Sequence, residues 1–304
     1  MQQTEVAAPA AVRPVGMVAI IGRPNVGKST LVNALVGERV SITSRKPQTT
    51  RDRVLGVRTD DDAQYIFVDT PGFQRRHRTA LNRRMNATVT SALVDVDAVV
   101  LVIEAAGWTE GDEQMLPLLP PQSDNVILAI NKSDVLVERE RLLPLMGDSM
   151  RRYPFRAIVP VSAEKSRQLD DLLKEIRPLL PEGMPLFDAD QYTDRSVRFL
   201  AAESVREKAY RLLGDELPYG VAVTIDRWDE SRATPQIAAT LIVERDAHRP
   251  IVIGKDGAKL REISRLARAD IEQMLGKPVF LEVWVRVRRG WSDDVRALKS
   301  LGYE

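Results

Sequence analysis

Eight consecutive residues, Gly22, Arg23, Pro24, Asn25, Val26, Gly27, Lys28 and Ser29, fit the spacing G-x-x-x-x-G-K-[ST], and Thr30 follows them. The glycines let the backbone curl so that its N–H groups face phosphate oxygens. A helix beginning at Lys28 adds the positive end of its dipole. Lys28 then reaches the β and γ phosphates of a nucleotide, and Ser29 offers a hydroxyl to Mg²⁺. A tight turn before a helix can look similar without binding anything. The apolar run just before Gly22 and the helical pattern after Lys28 supply the strand–loop–helix context that favours the phosphate reading.

Three further sets follow in order. Asp69-Thr70-Pro71-Gly72 lies at the end of an apolar run. A carboxylate there suits Mg²⁺ through its outer shell, and Gly72 can offer its N–H to a γ phosphate with no side chain in the way. Alone, this tetrapeptide is only a turn signal. Asn131-Lys132-Ser133-Asp134 ends another apolar run. The Asp134 carboxylate can accept from the N1–H and 2-amino group of guanine, a pair of donors that adenine lacks, and the stem of Lys132 can lie over the base. Ser162-Ala163 could present a backbone N–H to the guanine oxygen, a signal that counts only as fourth in this series. Between the first two sets, residues 41–53 are too polar for core and suit a loop ordered by γ-phosphate and Mg²⁺. One threonine there is the expected metal ligand, Thr50 ahead of Thr49. Asn25 reads equally as a ligand for K⁺ beside the phosphates or as the donor of a loop hydrogen bond.

These motifs need a scaffold, and the pattern predicts one. Short apolar runs at residues 17–21, 64–68, 98–103, 125–130 and 157–161 alternate with helical patterns at 80–94, 110–116, 137–150 and 169–179. Such alternation predicts a mostly parallel sheet covered on both faces, with ligands beyond the C-terminal strand ends, where the polar motifs fall. Residues 178–185 hold three prolines and a glycine and mark a domain junction. The expected division is a disordered tail at 1–14, a nucleotide domain at 15–181, a linker at 182–193, a second domain at 194–289 and a tail at 290–304. Thr193 or Asp194 is the expected cap of a long helix ending near Leu213, followed by antiparallel strands at 220–228 and 236–243, a helix at 257–275 and a last strand at 279–287.

The chain of 304 residues has no cysteine, which excludes disulfides, thiolate metal sites and cysteine nucleophiles, and is compatible with a reducing interior. No apolar run reaches the roughly 20 residues that span a bilayer, and the first residues lack the pattern of a signal peptide. The net charge of +1 conceals a basic stretch: ten basic and five acidic residues lie between Arg249 and Arg289.

Together the four motif sets resemble the GTPase branch of the P-loop NTPases over residues 15–180. Ras-like enzymes carry a water-orienting glutamine where this chain has Phe73, which cannot orient water by hydrogen bonding, so slow turnover by the isolated protein is expected. The tetrapeptide Gly254-Lys255-Asp256-Gly257, followed by a helix with Lys259 and Arg261, resembles the K homology (KH) module, whose loop clamps the backbone of single-stranded nucleotides. The element order resembles the type II form, although Asp256 puts a carboxylate inside the clamp. The combination, with Gln48-Thr49-Thr50-Arg51-Asp52 and the closing residues 298–303, closely resembles the bacterial Era GTPases. That resemblance implies an α/β P-loop GTPase domain joined to an α+β type II KH domain. It also implies binding to the 3′ end of 16S ribosomal RNA, a role in assembly of the 30S subunit and rRNA maturation, Mg²⁺ as cofactor and a cytoplasmic monomer. Peripheral attachment to the cytoplasmic face of the cell membrane is a further implication. Ser166 departs from the family, which commonly has glycine there. His77 and His248 read as surface residues, and Trp228, Trp284 and Trp291 as packing rather than stacking groups. Two other classes compete: a membrane-linked regulatory GTPase with a protein-binding adaptor, and an ATP-driven enzyme, against which Asp134 speaks.

Overall fold

A computed structural model describes residues 12–44, 49–74, 79–121, 124–213 and 220–303. The first unit is built from β1 (Arg13–Ile21), α1 (Lys28–Val36), β2 (Val54–Thr59), β3 (Gln64–Asp69), α2 (Ala80–Ser91), β4 (Ala98–Glu104), α3 (Glu110–Glu113), β5 (Val126–Asn131), α4 (Leu142–Arg152), β6 (Ala157–Pro160), α5 (Leu169–Ile176) and β7 (Glu182–Gly183). The sheet runs β2-β3-β1-β4-β5-β6, with β2 antiparallel to β3 and the other neighbours on this path parallel; β7 pairs antiparallel with β1. Successive strand side chains point to opposite faces. Val18, Ile20, Val100 and Val102 therefore pack on one side with Leu31 and Leu35 of α1 and Leu172 and Ile176 of α5. Ala19, Ile21, Leu101 and Ile103 pack on the other with Val89 of α2 and Leu145 of α4. Both faces being covered explains why these strands read as continuous apolar runs.

The second unit comprises α6 (Val197–Leu212), β8 (Val221–Asp229), β9 (Gln236–Val243), α7 (His248–Ile253), α8 (Ala258–Leu275), β10 (Phe280–Val287) and α9 (Val295–Ser300). Its sheet is ordered β10-β9-β8, with β10 parallel to β9 and β8 antiparallel to β9. Leu281, Val283, Val285 and Val287 turn towards the core that holds Val205 and Ala209 of α6 and Ile263 and Ala267 of α8. Trp284, on the opposite face, is 64% exposed.

Several expectations need correction. Arg13 and Pro14 belong to β1, so the ordered chain starts before the expected boundary; residues 1–11 of the expected tail lie outside the described residues. The expected linker is tied to the first sheet: the Leu186 and Phe187 N–H groups donate to Gln64 Oε1, and the Thr193 hydroxyl donates to the Leu55 carbonyl. Asp194 accepts from the Leu55 N–H. With both residues engaged on β2, the cap of α6 falls to Ser196, which accepts from the Phe199 N–H. Residues 248–253, to which the sequence pattern assigns no element, form the helix α7. Of the expected tail at 290–304, the described residues 290–303 pack instead: Trp291, Ala297, Leu298 and Tyr303 are buried against Ala80, Leu81 and Met85 of α2. Trp291 thus packs, as expected, but between the two units.

Candidate functional site

Gly22 to Thr30 connect β1 to α1, and the backbone there needs its glycines. Gly27 has φ +95°, and a Cβ on it would meet Asn131 Nδ2 at 2.4 Å. Lys28 is only 6% exposed and donates to the carbonyls of Gly22 (3.0 Å) and Arg23 (2.9 Å). Burial pushes its pKa down to about 8, against the pull of Asp69. Pro24, Asn25, Gly27, Lys28, Ser29 and Thr30 line a cavity of about 810 Å³ together with Thr49, Thr50, Thr70, Gly72 and Lys132. The side chains of Arg23 and Val26 do not take part: Arg23 pairs with Glu104 and Asp112, and Val26 is buried in the core. Only their main chain is left to face a phosphate.

The candidate Mg²⁺ ligands come from three separate segments and meet. Ser29 Oγ and Thr50 Oγ1 share a hydrogen bond of 2.7 Å, and Thr50 Oγ1 donates to Asp69 Oδ2 at 3.3 Å. Burial pushes the Asp69 carboxyl up, while the Ser29 and Thr50 hydroxyls and the Lys28 ammonium pull it back. Its Oδ1 is buried without a hydrogen-bond partner. Two hydroxyls and a buried carboxylate with one unmatched oxygen form an all-oxygen donor set that fits a hard divalent cation. Between the two threonines the geometry favours Thr50; the Thr49 carbonyl is turned to Arg206, which donates to it at 2.6 Å.

Gly72 follows β3 and crosses directly over Pro24; a Cβ there would lie 2.7 Å from the Pro24 backbone. Phe73 is buried against the apolar cluster of Ala19 and Ile21, so its ring is core and holds no water. Thr70 donates to the Ile20 carbonyl, which fixes residues 69–72 beside β1. His77 lies outside the described residues.

At the far end, Asn131 is a bracket. Its Nδ2 donates to the Val26 carbonyl at 2.8 Å, and its Oδ1 accepts from the Ala163 N–H at 3.0 Å. This joins the phosphate loop to the Ser162-Ala163 turn. Lys132 reaches the Asn25 carbonyl at 2.9 Å and pairs with Glu104. Ser162 Oγ donates to Asp134 Oδ1 and so orients the carboxylate. Ser166 adopts φ +48°, in the left-handed region where glycine is at ease, so the serine is accommodated at some strain without displacing Ala163 from Asn131.

In the second unit, Gly254 (φ +73°), Asp256 (φ +50°) and Gly257 (φ +74°) form the sharp connection from α7 to α8. A Cβ on Gly254 would meet Lys259 Cβ at 2.7 Å. Lys255, Asp256 and Arg261 are exposed beside it. Arg265 and Arg268 pair with Glu262 and Glu272 on their own helix, which trims the basic surplus; no ion pair to Lys255, Lys259 or Arg261 occurs among the described residues.

The site also has a member that the motifs did not suggest. Arg211 of α6 lines the nucleotide cavity and donates to the carbonyl and hydroxyl of Thr43. It comes from the other unit, and only docking of the two brings it there.

Fold and site together define a guanine-type P-loop GTPase carrying a type II KH domain. The family described as "50S ribosome-binding GTPase" matches residues 17–132, and "KH domain" matches residues 216–292. The GTPase Era of Bordetella avium is 57% identical over 289 residues, covering 95% of this chain and 97% of that one; the GTPase Era of Marinobacter nauticus is 50% identical over 287 residues, covering 94% of each. The chain belongs to the Era GTPase family. Among solved structures, Era in complex with MgGDPNP and nucleotides 1506–1542 of 16S ribosomal RNA superposes with a TM-score of 0.92 at 41% identity, covering 96% of this chain and 99% of that one. A substituted Aquifex aeolicus Era bound to GDP·AlF4⁻ also has a TM-score of 0.92, at 42% identity and 95% and 99% coverage.

Proposed function

We propose that this GTPase binds GTP with Mg²⁺, hydrolyses it slowly, and uses the GTP-bound form to hold the 3′ end of 16S ribosomal RNA during assembly of the 30S subunit and rRNA maturation. The convergence of Ser29, Thr50 and Asp69 carries the nucleotide half of this reading. Lys28 and the N–H groups of residues 22–30 cradle the phosphates, and Gly72 offers its N–H to the γ phosphate. Asp134 and Lys132 take the guanine, and the Ala163 N–H, which donates to Asn131 Oδ1, would be shared with the guanine oxygen. Mg²⁺ would be held by Ser29 and Thr50 directly and by Asp69 through its outer shell, where it neutralises charge between the β and γ phosphates. Phe73 being core, the attacking water needs a backbone group or a partner to orient it.

The RNA half rests on the match, along 96% of this chain, to the Era that holds 16S RNA. Gly254 to Gly257 would clamp the strand, with Lys255, Lys259 and Arg261 offsetting Asp256. The GTPase family description names the 50S subunit, but its match covers only residues 17–132 and leaves out the KH domain. No helix among the described residues is long and apolar enough to cross a membrane. The family resemblance implies a cytoplasmic monomer. Peripheral membrane attachment rests on the family resemblance alone, and sedimentation with lysed-cell membranes would test it.

The deciding measurement is anisotropy of a labelled single-stranded RNA from the small-subunit 3′ end. The GTP-analogue form should bind more tightly than the GDP form, and Gly254→Asp should bind little. Equal failure of all three favours a protein-binding adaptor instead.

A further inference from the structure

The segment that carries Thr50 is gripped by the KH domain on both sides of that residue. Before it, the Thr49 carbonyl accepts from Arg206 of α6. After it, the Arg51 side chain leaves the nucleotide domain altogether and is 2% exposed. Its guanidinium donates to the Val221 carbonyl at 2.7 Å, to the Tyr303 hydroxyl at 3.0 Å and to the Tyr210 hydroxyl. The rings of Tyr210, Trp291 and Tyr303 surround it with centroids 5.7, 5.5 and 5.8 Å from its central carbon. A guanidinium is costly to bury unless donors and charge are matched. Here a planar fork meets three oxygens and three aromatic faces, a fit that a lysine cannot reproduce. The cage is assembled from α6, β8 and the C-terminal segment.

The consequence falls on the next residue back. Consecutive Cα atoms stand about 3.8 Å apart, so the cage fixes where the Thr50 hydroxyl lies relative to Ser29 and Asp69. Mg²⁺ demands near-ideal octahedral geometry and discriminates against ligands displaced by tenths of an ångström. We propose that Arg51 is a positioning residue for Mg²⁺–GTP: its caged guanidinium holds the Thr50 hydroxyl at the metal site, so that the KH domain and the C-terminal residues Trp291 and Tyr303 set how firmly the GTP state keeps its metal. This rests on the magnesium–GTP reading above. Because switch segments of this kind are ordered by γ-phosphate and Mg²⁺ and released after hydrolysis, GDP binding lies outside the effect. A residue that only glued the domains together would alter stability and leave the metal requirement alone.

The test uses the full chain as wild type, Arg51→Met, Arg51→Lys and Tyr303→Phe. The Mg²⁺ concentration for half-maximal single-turnover GTP hydrolysis is measured beside GDP affinity. Arg51→Met should raise that concentration about tenfold or more, Arg51→Lys by an intermediate factor and Tyr303→Phe about two- to threefold, as expected for losing several charge-assisted hydrogen bonds or one. GDP affinity should stay within about twofold of wild type. An unchanged Mg²⁺ requirement in Arg51→Met overturns the proposal, even if its thermal midpoint falls. If Arg51→Met does not fold, Arg51→Lys and Tyr303→Phe decide, and no shift in either overturns it. A wild-type chain whose hydrolysis ignores Mg²⁺ overturns the functional reading itself, which separates that failure from this one.

Discussion

Raising the pH from 7 to 9 should weaken GTP binding about tenfold, with Lys28 as the cause. In the free chain this ammonium is buried, pushed down to about 8, and satisfied by only two carbonyls. A polyphosphate beside it supplies the opposite charge that Asp69 and, more weakly, Asp112 supply in part, and so raises its pKa. Below pH 8 both free and bound chains carry the proton and affinity is flat. Above pH 8 the free chain loses the proton while the complex keeps it, so binding takes up a proton and weakens as pH rises. With a free pKa of about 8, half the chains are protonated at that pH and roughly one in ten a unit higher. That gives losses of about twofold and tenfold. Titration calorimetry at fixed ionic strength and saturating Mg²⁺, run in two buffers of different ionisation enthalpy, reads both the affinity and the proton uptake. Lys28→Met should bind more weakly throughout and lose this slope, and it subtracts any titration of the nucleotide. A flat affinity from pH 7 to 9, or an equal slope in Lys28→Met, would refute the assignment.

Other outcomes follow from the same geometry. Gly72→Ala puts a methyl 2.7 Å from the Pro24 backbone, which should force residue 72 off the phosphate loop and cost about tenfold or more in affinity for a GTP analogue; an equal loss for GDP would show that the γ-phosphate contact is not involved. Asp134→Asn exchanges an acceptor of guanine's two donors for an amide, and competition binding should find GTP weakened by at least about tenfold and xanthosine triphosphate favoured; undiminished GTP binding would remove Asp134 from base recognition. If Asn25 is a K⁺ ligand, hydrolysis should be faster in K⁺ than in Na⁺ at equal ionic strength, whereas equal rates leave it as a loop hydrogen-bonding group.

The nucleotide site was legible because its motifs sit at the ends of strands whose apolar runs are unmistakable, and the site is made by those ends. β2 was not seen. Its strand VLGVRT contains Gly56, where a Cβ would lie 2.8 Å from Val36 and 2.9 Å from Val32, so the glycine that disguises the strand is needed for the close approach of α1. α7 was missed because Pro250 and the run Ile251-Val252-Ile253 favour extended backbone, yet Val252 is fully buried and the Gly254 N–H closes the helix onto the Pro250 carbonyl. That is tertiary packing overriding local preference. The prolines at 178–185 mark a junction but do not reveal whether a connection is loose, and β7 within it pairs with β1. The partners of Gln64 and Thr193 decide that here. Least legible is the burial of α6 on several sides, where the consecutive charges Arg206, Glu207 and Lys208 are all covered. Charged residues in a helix signal solvent unless the partner surface is already known.

That buried charge bears on how the two domains communicate. Glu207 has no exposed surface, yet it accepts from the N–H and hydroxyl of Thr43 and pairs with Arg39 and Arg211; Lys208 and Arg39 share Asp270. An apolar seam of this extent would hold the domains together in every state, because opening it would expose hydrocarbon to water. Charges behave differently: their attraction when buried largely offsets the water they gave up, and parting lets water return to them. The charged contact beside the nucleotide cavity therefore adds less to the cohesion of the domains than apolar burial of the same extent would. The other contact, Leu81 and Met85 of α2 against Leu298 and Trp291, is apolar and suits a pivot that stays closed. The two domains thus meet through a polar seam beside the nucleotide cavity and an apolar one at α2.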